Sequence, residues 1–269
     1  MAHEGEDGDV EARRWQDSEL VESFVSSGWT APEASRLLEI IHLLLRLPDP
    51  VGAGGLFPEF HRLRDGLADA LALGAAVTIE ERCLELYAHL HMNDGAYSPE
   101  ERQRLDTVGG YWNHAGGLSP ILKARPWIQE ATTSVDLGAG NGLQGLLLQA
   151  LYPHTRTTQV EISTRMAEVG EMLREWLQVP RSRIEWIVRD VCDVSVSGYG
   201  FVYLYRPVRP DGPGRGFYAR LAREVESAPR PPVIFSVADC LRDFLSSRFE
   251  VFYGDGHLTC YRATPSRPA

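Results

Sequence analysis

Residues 135–142, Val-Asp-Leu-Gly-Ala-Gly-Asn-Gly, have the composition of a ligand-binding loop. Gly138, Gly140 and Gly142 stand at alternate positions just after a predicted buried strand. Glycine tolerates positive φ and lets the backbone approach a ligand closely, and the amide end of the helix predicted from Asn141 faces the same crevice. Open parallel sheets bind ligands at the carboxyl ends of their strands. The segment therefore predicts a nucleotide-type pocket.

Asp136 distinguishes between two ligand classes for this loop. Residues 140–145 also match the spacing GxGxxG, which alone is weak support for a dinucleotide-binding oxidoreductase. In that register an acid and another glycine come first, and a carboxylate at the strand end repels a pyrophosphate. S-adenosylmethionine carries a sulfonium and an α-ammonium group, so the acid favours this cofactor. The dinucleotide remains the alternative.

Two more acids end the next two predicted strands. Glu161 follows Gly140 by 21 residues and is placed for a bidentate hydrogen bond to ribose hydroxyls. Asp190 ends the third strand and is placed to accept from an adenine amine. Each acid alone has a plain interpretation as a helix cap or turn residue. Three acids at consecutive strand ends, beside a glycine loop, predict one cofactor site.

The elements that position these residues fall into two halves. We predict a disordered tail at 1–14 and an α-helical cap or substrate domain at 15–131, with helices opening near Thr30, Thr78 and Ser98. From 132 to 269 strands alternate with helices, including a short helix at 238–248. This alternation predicts a parallel sheet with right-handed crossovers. Asp-Gly at 255–256 predicts a terminal hairpin that adds an antiparallel strand.

Residues 132–269 resemble the class I S-adenosylmethionine-dependent methyltransferases. The sequence DLGAGNG from Asp136 is similar to the family's first motif, QVEIS carries the acid of the second, and RDVCDV is similar to the third. The terminal hairpin resembles the last two strands of the family. The resemblance implies an α/β fold, a seven-stranded Rossmann-like sheet with an antiparallel last strand, here preceded by a helical cap domain. It identifies no subfamily.

The resemblance also implies roles in binding S-adenosyl-L-methionine and its product S-adenosyl-L-homocysteine. Asp136 would face the methionine amine, Glu161 the ribose hydroxyls and Ile162 the adenine face. Asp190 and the Val191 amide would bind the adenine edge, with Asp193 as the alternative adenine acid. The methionine and ribose would be lined by Gly138, Gly140 and Gly142.

Residues for acceptor binding and catalysis are sought at the same sheet edge. Tyr205 and Arg206 end the fourth strand, where Arg206 would clamp an acceptor carboxylate or phosphate, or instead pair with Asp211. The loop 109–117 combines glycines with groups that can touch a ligand. It is predicted to be either a lid or a structural turn. Its candidates are Tyr111, Trp112 and Asn113 for the substrate and His114 for catalysis.

Adenine or glutamine amines as acceptors, and metal ions, are disfavoured, because the sequence lacks the motifs that bind them. Tyr205-Arg206-Pro207 replaces the Asn/Asp-Pro-Pro-aromatic motif of methyltransferases that act on adenine or glutamine amines, so those acceptors are disfavoured. The four cysteines are scattered and no segment has metal-ligand spacing. His89 and His91 stand two apart on one predicted helix and face different sides. No metal site is therefore expected.

Charge and composition narrow the partners. The net charge is −10, and residues 1–130 carry −11 of it while 131–269 carry +1, which disfavours nucleic acid. No apolar run reaches the roughly 18 residues of a membrane helix, and the acidic N-terminus is unlike a secretory signal. Lys123 is the only lysine among 27 basic residues, which suggests a GC-rich bacterial genome. We expect a cytoplasmic bacterial protein.

The predicted function is methyl transfer from S-adenosylmethionine to a small-molecule acceptor. A protein side chain is the second acceptor class, and a protein that binds the cofactor without turnover is a further alternative. The N-terminal helices would cap the substrate, form a homodimer or dock a larger partner. The leucine-rich stripe at 37–45 favours core packing over an interface.

Overall fold

The chain divides into two compact units, Met1–His89 and Leu90–Ala269. The computed structural model describes residues 17–49, 55–91, 96–112, 114 and 116–265, so the predicted tail at 1–14 lies outside the described residues. The expected domain boundary at residue 132 marks the first strand. The second unit begins earlier and includes two helices that precede the sheet. Hydrophobic periodicity indicates where the strands begin, but it does not indicate which helices pack in the same compact unit as the sheet.

The first unit is helical in its described part. Its helices are α1 (17–26), α2 (Ala31–Leu45), α3 (Phe60–Leu73) and α4 (Ala76–His91), the last of which ends in the second unit. The predicted start of α2 is confirmed, because the Thr30 backbone amide donates to the Glu33 carboxylate and Pro32 lies in the first turn. The leucine-rich stripe is buried, as predicted for core. The Thr78 cap is wrong, since α4 begins at Ala76 and places Thr78 inside the helix.

The second unit alternates strands and helices after two short helices. The helices are α5 (Pro99–Val108), α6 (Ser119–Ala124), α7 (Leu143–Leu151), α8 (Thr164–Trp176) and α9 (Gly212–Ser227). The strands are β1 (Thr133–Leu137), β2 (Arg156–Glu161), β3 (Ile184–Val188), β4 (Phe201–Tyr205), β5 (Val233–Val237), β6 (Phe249–Gly254) and β7 (Leu258–Ala263). The capping box predicted at Ser98 is confirmed at the start of α5.

The sheet has the strand order β3-β2-β1-β4-β5-β7-β6. Strands β1 to β5 are parallel, while β7 pairs antiparallel with both β5 and β6. The predicted α/β fold with seven strands and a reversed strand from the terminal hairpin is confirmed. In this register Asp136 lies beside Gln159 of β2 and Tyr203 of β4. The parallel strands therefore deliver their carboxyl ends to one edge.

The predicted helix at 238–248 is wrong, because this segment forms turns rather than a helix. The Asp239 carboxylate accepts the Leu241 amide at 3.0 Å and the Tyr261 hydroxyl at 2.6 Å. Ala238 has a φ of 49°. A local side-chain bond to the backbone competes with helix formation, and here it also ties the turn to β7.

A buried polar network joins β1 and β2 at the edge opposite their carboxyl ends. His154 Nδ1 lies 2.7 Å from the Tyr152 carbonyl, so Nδ1 carries a proton, and Nε2 lies 2.8 and 2.9 Å from the hydroxyl oxygens of Ser134 and Thr157. Burial lowers the pKa of His154 below 6.5, opposed by the Tyr152 bond and assisted by Arg183. Burial of this network therefore favours the neutral imidazole.

We expect this network to destabilise the protein in acid. Since the folded-state pKa is lowered, the unfolded chain binds the proton first, and stability is lost as the pH falls below about 6.5. Urea unfolding between pH 7.5 and 5 measures the loss. The variant His154→Gln should lose less stability over this range than the wild type. Equal losses in the two proteins would show that His154 does not titrate with folding.

Candidate functional site

A pocket lies at the carboxyl edge of the sheet, within the second unit. Ten of the predicted residues line it: Tyr111, Trp112, Asp136, Gly138, Gly140, Glu161, Ile162, Asp190, Val191 and Tyr205. Other residues that line it were not predicted; they include His91, Tyr97, Arg104, Met166 and Tyr203. The strand ends thus meet at one cavity, together with α5 and the residues that follow it.

Asp136 is a buried carboxylate, only 3% exposed, near the end of β1. Its Oδ2 has no hydrogen-bond partner among the described residues. Burial, and then the nearby negative charge of Glu161, raise its pKa to about 8. A buried carboxylate without a donor is costly, so this group fits a ligand that brings a positive charge or a hydrogen-bond donor.

Glu161 ties the glycine loop to the end of β2. Its carboxylate accepts the backbone amides of Gly140 at 2.8 Å and Ser163 at 3.0 Å. The Tyr97 hydroxyl is also hydrogen-bonded to it. Burial raises the pKa of Glu161 to about 7, against the lowering effect of these amides. Two adjacent acids of high pKa therefore share the pocket.

The three glycines of the loop all have positive φ, of 79°, 58° and 70° along the chain. A Cβ on Gly138 would lie 2.9 Å from the Pro207 Cβ, so the β4–α9 segment presses directly on the loop. Gly142 does not line the pocket; it caps α7, and a Cβ there would lie 2.7 Å from the Trp186 ring. The alternate glycines thus divide between the pocket and the packing of α7.

Asp190 is held by two contacts at the end of β3. Its carboxylate accepts the Cys192 amide at 2.9 Å and pairs with Arg104 of α5 at 2.8 Å. Val191 lies beside it in the pocket, whereas Asp193, the alternative adenine acid, does not line the cavity. The ion pair fastens α5 to the edge of the pocket.

The loop after α5 is joined to the end of β4. The Tyr111 amide donates to the Arg206 carbonyl at 3.1 Å, and the Trp112 indole donates to Asp106 at 2.8 Å. The Trp112 ring packs edge-on against Tyr97, with centroids 5.8 Å apart. Tyr111 and Trp112 are therefore placed in the pocket. Asn113 lies outside the described residues.

The three catalytic candidates are placed differently. Tyr205 lines the pocket. Burial, and to a smaller extent the neighbouring Tyr111, raise its pKa above 10, so the phenol keeps its proton near neutral pH. Arg206 does not line the pocket but donates to the Tyr111 hydroxyl at 2.6 Å. His114 is exposed, outside the lining, with its ring 4.8 Å from that of Tyr111. The alternative partner for Arg206, Asp211, pairs with Arg209 instead at 3.3 Å.

Sequence reasoning missed Tyr97 and Arg104. The capping box predicted the helix that carries Arg104, but not that its guanidinium reaches an acid 86 positions away. Tyr97 comes directly before Ser98, the N-cap of that helix, and lies outside every motif. An aromatic residue before a helix gives no signal of its own, so tertiary packing alone reveals both contacts.

No protein-family model and no curated protein matches the chain, but many solved structures do. An RNA methyltransferase from Salinibacter ruber, in complex with S-adenosyl-L-homocysteine, is 17% identical over 56% of this chain and 92% of that chain, with a TM-score of 0.42. A mutant of MtNAS is 18% identical over 86% and 98%, with a TM-score of 0.41. A putative sarcosine dimethylglycine methyltransferase from Galdieria sulphuraria is 17% identical over 45% and 43%, with a TM-score of 0.37.

Among the solved structures that match, several are covered over only about half of their own length, from 43% to 52%. The strand order and the reversed β7 are those expected from the sequence resemblance. The chain has the class I methyltransferase fold.

Within the described part of this methyltransferase fold, no helix is long and apolar enough to cross a bilayer. The same residues contain no group of three or more His, Cys, Asp or Glu side chains arranged to hold a metal ion.

Proposed function

We propose that this protein binds S-adenosylmethionine at the carboxyl edge of the sheet and transfers its methyl group to a small-molecule acceptor. The observation that carries the proposal is Asp136, a buried carboxylate whose Oδ2 has no partner among the described residues and which faces the glycine loop. A cationic ligand would offset the cost of burying this charge. The shared fold supports the same cofactor.

The pocket residues fit the parts of this cofactor. Asp136 would hold the α-ammonium group, and Glu161, beside the Gly140 amide, would take ribose hydroxyls. Ile162 and the Val191 amide would contact the adenine, near Asp190. When bound, the cofactor supplies an activated methyl group, so the remaining task is to place the acceptor close and in line.

The chain's own residues would perform that placement. Trp112 and Tyr111 line the pocket and would exclude water from it. Tyr205 keeps its proton near neutral pH and would orient the acceptor by donating a hydrogen bond. Tyr205 does not suit the role of general base, because its pKa is raised rather than lowered.

A cofactor-binding protein without turnover is the second candidate function. It would use the same acids, so binding alone does not distinguish the two. Tyr205→Ala does, provided that it keeps the wild-type affinity for S-adenosylmethionine. Loss of methyl transfer in this variant supports the enzyme, whereas no transfer by the wild type to any tested acceptor supports the binding protein. A protein side chain as acceptor is the other outcome of such a screen.

The affinity for S-adenosylmethionine should rise between pH 6 and pH 8. Asp136, with a pKa of about 8, holds a proton that the cation must displace, and Glu161, with a pKa of about 7, must lose its proton to accept from two ribose hydroxyls. Each displaced proton changes the affinity by up to about tenfold per pH unit. Calorimetry in buffers of different ionisation enthalpy measures the released protons. A flat profile without proton release at pH 7 would contradict the assignment of Asp136 to the cation.

A further inference from the structure

Arg206 is a partly buried cation without an acidic partner among the described residues. The two arginines that line the pocket are paired, Arg104 with Asp190 at 2.8 Å and Arg209 with Asp211 at 3.3 Å. Arg206 does not line the pocket itself but contacts Tyr111, which does. No described carboxylate lies within 4.0 Å of the Arg206 guanidinium, and its buried Nε has no acceptor there. Charges that leave water are normally paired or hydrogen-bonded.

The groups that contact this guanidinium are neutral, and the carboxylate of Asp239, which also acts on the nearby Cys240 thiol, lies more than 4.0 Å from it. Nη1 donates to the Tyr111 hydroxyl, and the guanidinium carbon lies 4.4 Å from the centre of the Tyr111 ring. Tyr218 and Cys240 are close enough for the positive charge to lower their pKa values, but burial outweighs this effect and keeps both groups protonated. The surroundings therefore solvate the cation without neutralising it.

The backbone holds Arg206 in a strained conformation. Its φ is 35°, in a region that residues with a Cβ rarely adopt, and its carbonyl accepts the Tyr111 amide at 3.1 Å. Such strain persists only where surrounding contacts impose it, and it concentrates at binding sites. The position is thus fixed at the end of β4, between the pocket residues Tyr205 and Pro207.

Aromatic rings lead from this cation toward the surface. The Tyr205 ring packs edge-on against Tyr111 and against His257, with both centroid distances 5.7 Å. His257 is exposed, whereas Tyr205 is partly buried and lines the pocket. A guanidinium stacked on Tyr111 disfavours a cationic acceptor at this ring, because like charges repel. An anionic group with a flat or apolar body suits the same surface.

We propose that the acceptor is a small carboxylic acid whose carboxylate binds Arg206, while its body lies against Tyr111 and Tyr205. The assignment rests on the proposed function, because the acceptor must lie beside the cofactor. The α-carboxylate of the cofactor is the other source of the same chemistry. The rings of Tyr111 and Tyr205 connect Arg206 to His257, which is exposed, and this favours a ligand that enters from outside.

The test compares benzoate with benzamide, a neutral molecule of nearly the same shape. Both are titrated into protein saturated with S-adenosyl-L-homocysteine, and saturation-transfer NMR measures binding. Loss of a charge-assisted bond is worth roughly tenfold or more, so we expect benzoate to bind about that much better than benzamide. Arg206→Gln should remove this preference, and Arg206→Lys should keep part of it. The exposed Arg223→Gln is the matched control and should match the wild type.

Two outcomes would overturn the proposal. One is equal binding, or no binding, of the two probes to the wild type. The other is an Arg206→Gln variant that keeps the benzoate preference but binds S-adenosyl-L-homocysteine more weakly, which would assign Arg206 to the cofactor. If the wild type does not bind S-adenosyl-L-homocysteine at all, the proposed function fails. In that case benzoate and benzamide are compared without cofactor, and the role of Arg206 is decided by whether Arg206→Gln removes the preference for benzoate.

Discussion

The substitution Asp136→Asn should weaken S-adenosylmethionine binding by roughly 10–100-fold, the range for losing a charged hydrogen bond, and should stabilise the ligand-free protein. The carboxylate is 3% exposed and its pKa is raised to about 8, so folding opposes its ionisation. A raised folded-state pKa means that stability falls as the pH rises from 3.8 toward 8. The amide removes this penalty along with the charge that holds the ligand.

Thermal unfolding at pH 6 and pH 8 and calorimetric titration measure the two effects. The stability advantage of Asp136→Asn should be larger at pH 8. Asp243→Asn, on an exposed side chain of the same unit, is the control and should leave both quantities unchanged. A variant that binds normally would remove Asp136 from the site. A variant less stable than the wild type at both pH values would mean that the carboxylate has a structural role.

The substitution Gly138→Ala should abolish cofactor binding. The residue has a φ of 79°, and a Cβ would lie 2.9 Å from the Pro207 Cβ, inside the lining of the pocket. Either Pro207 or the loop must move, which narrows the space for the ligand. The left-handed conformation alone costs about 1–2 kcal/mol for a residue with a Cβ.

Gly198→Ala is the control that separates the effect of backbone strain from the effect of blocking the pocket. Gly198 has a φ of 90°, and a Cβ there meets nothing within 4 Å. It should therefore lose a comparable amount of stability in urea unfolding, yet bind S-adenosylmethionine normally in calorimetry. Normal binding by Gly138→Ala would show that the loop does not approach the ligand. Loss of binding in both variants would assign the effect to instability.

The sequence predicted those features that local pattern determines. Strand–helix alternation gives a parallel sheet, and a parallel sheet brings Asp136, Glu161 and Asp190 to one edge wherever its strands end. Asp255-Gly256 specified the hairpin because tight hairpin turns require these residue types. The meeting of the proposed cofactor-binding residues at one cavity followed from the first of these facts, apart from Gly142, which packs α7.

The features that the sequence did not predict depend on which side chains meet in three dimensions. Spacing suggested Asp211 as a partner for Arg206, but Arg209 takes that acid and Arg206 contacts Tyr111, 95 positions away. The helix expected at 238–248 does not form, because the Asp239 carboxylate accepts the backbone amide of Leu241. The part of the pocket lined by Tyr111 and Tyr205 is built from such contacts.

The central claim is the identity of the cofactor, and calorimetric titration of the purified protein with S-adenosylmethionine, S-adenosyl-L-homocysteine and NAD tests it most directly. The same titrations are repeated on Glu161→Ala, which lacks the carboxylate that accepts the Gly140 amide. We predict that both sulfur ligands bind the wild type, that neither binds the variant, and that NAD binds neither protein. Binding of NAD, without binding of either sulfur ligand, would contradict the account.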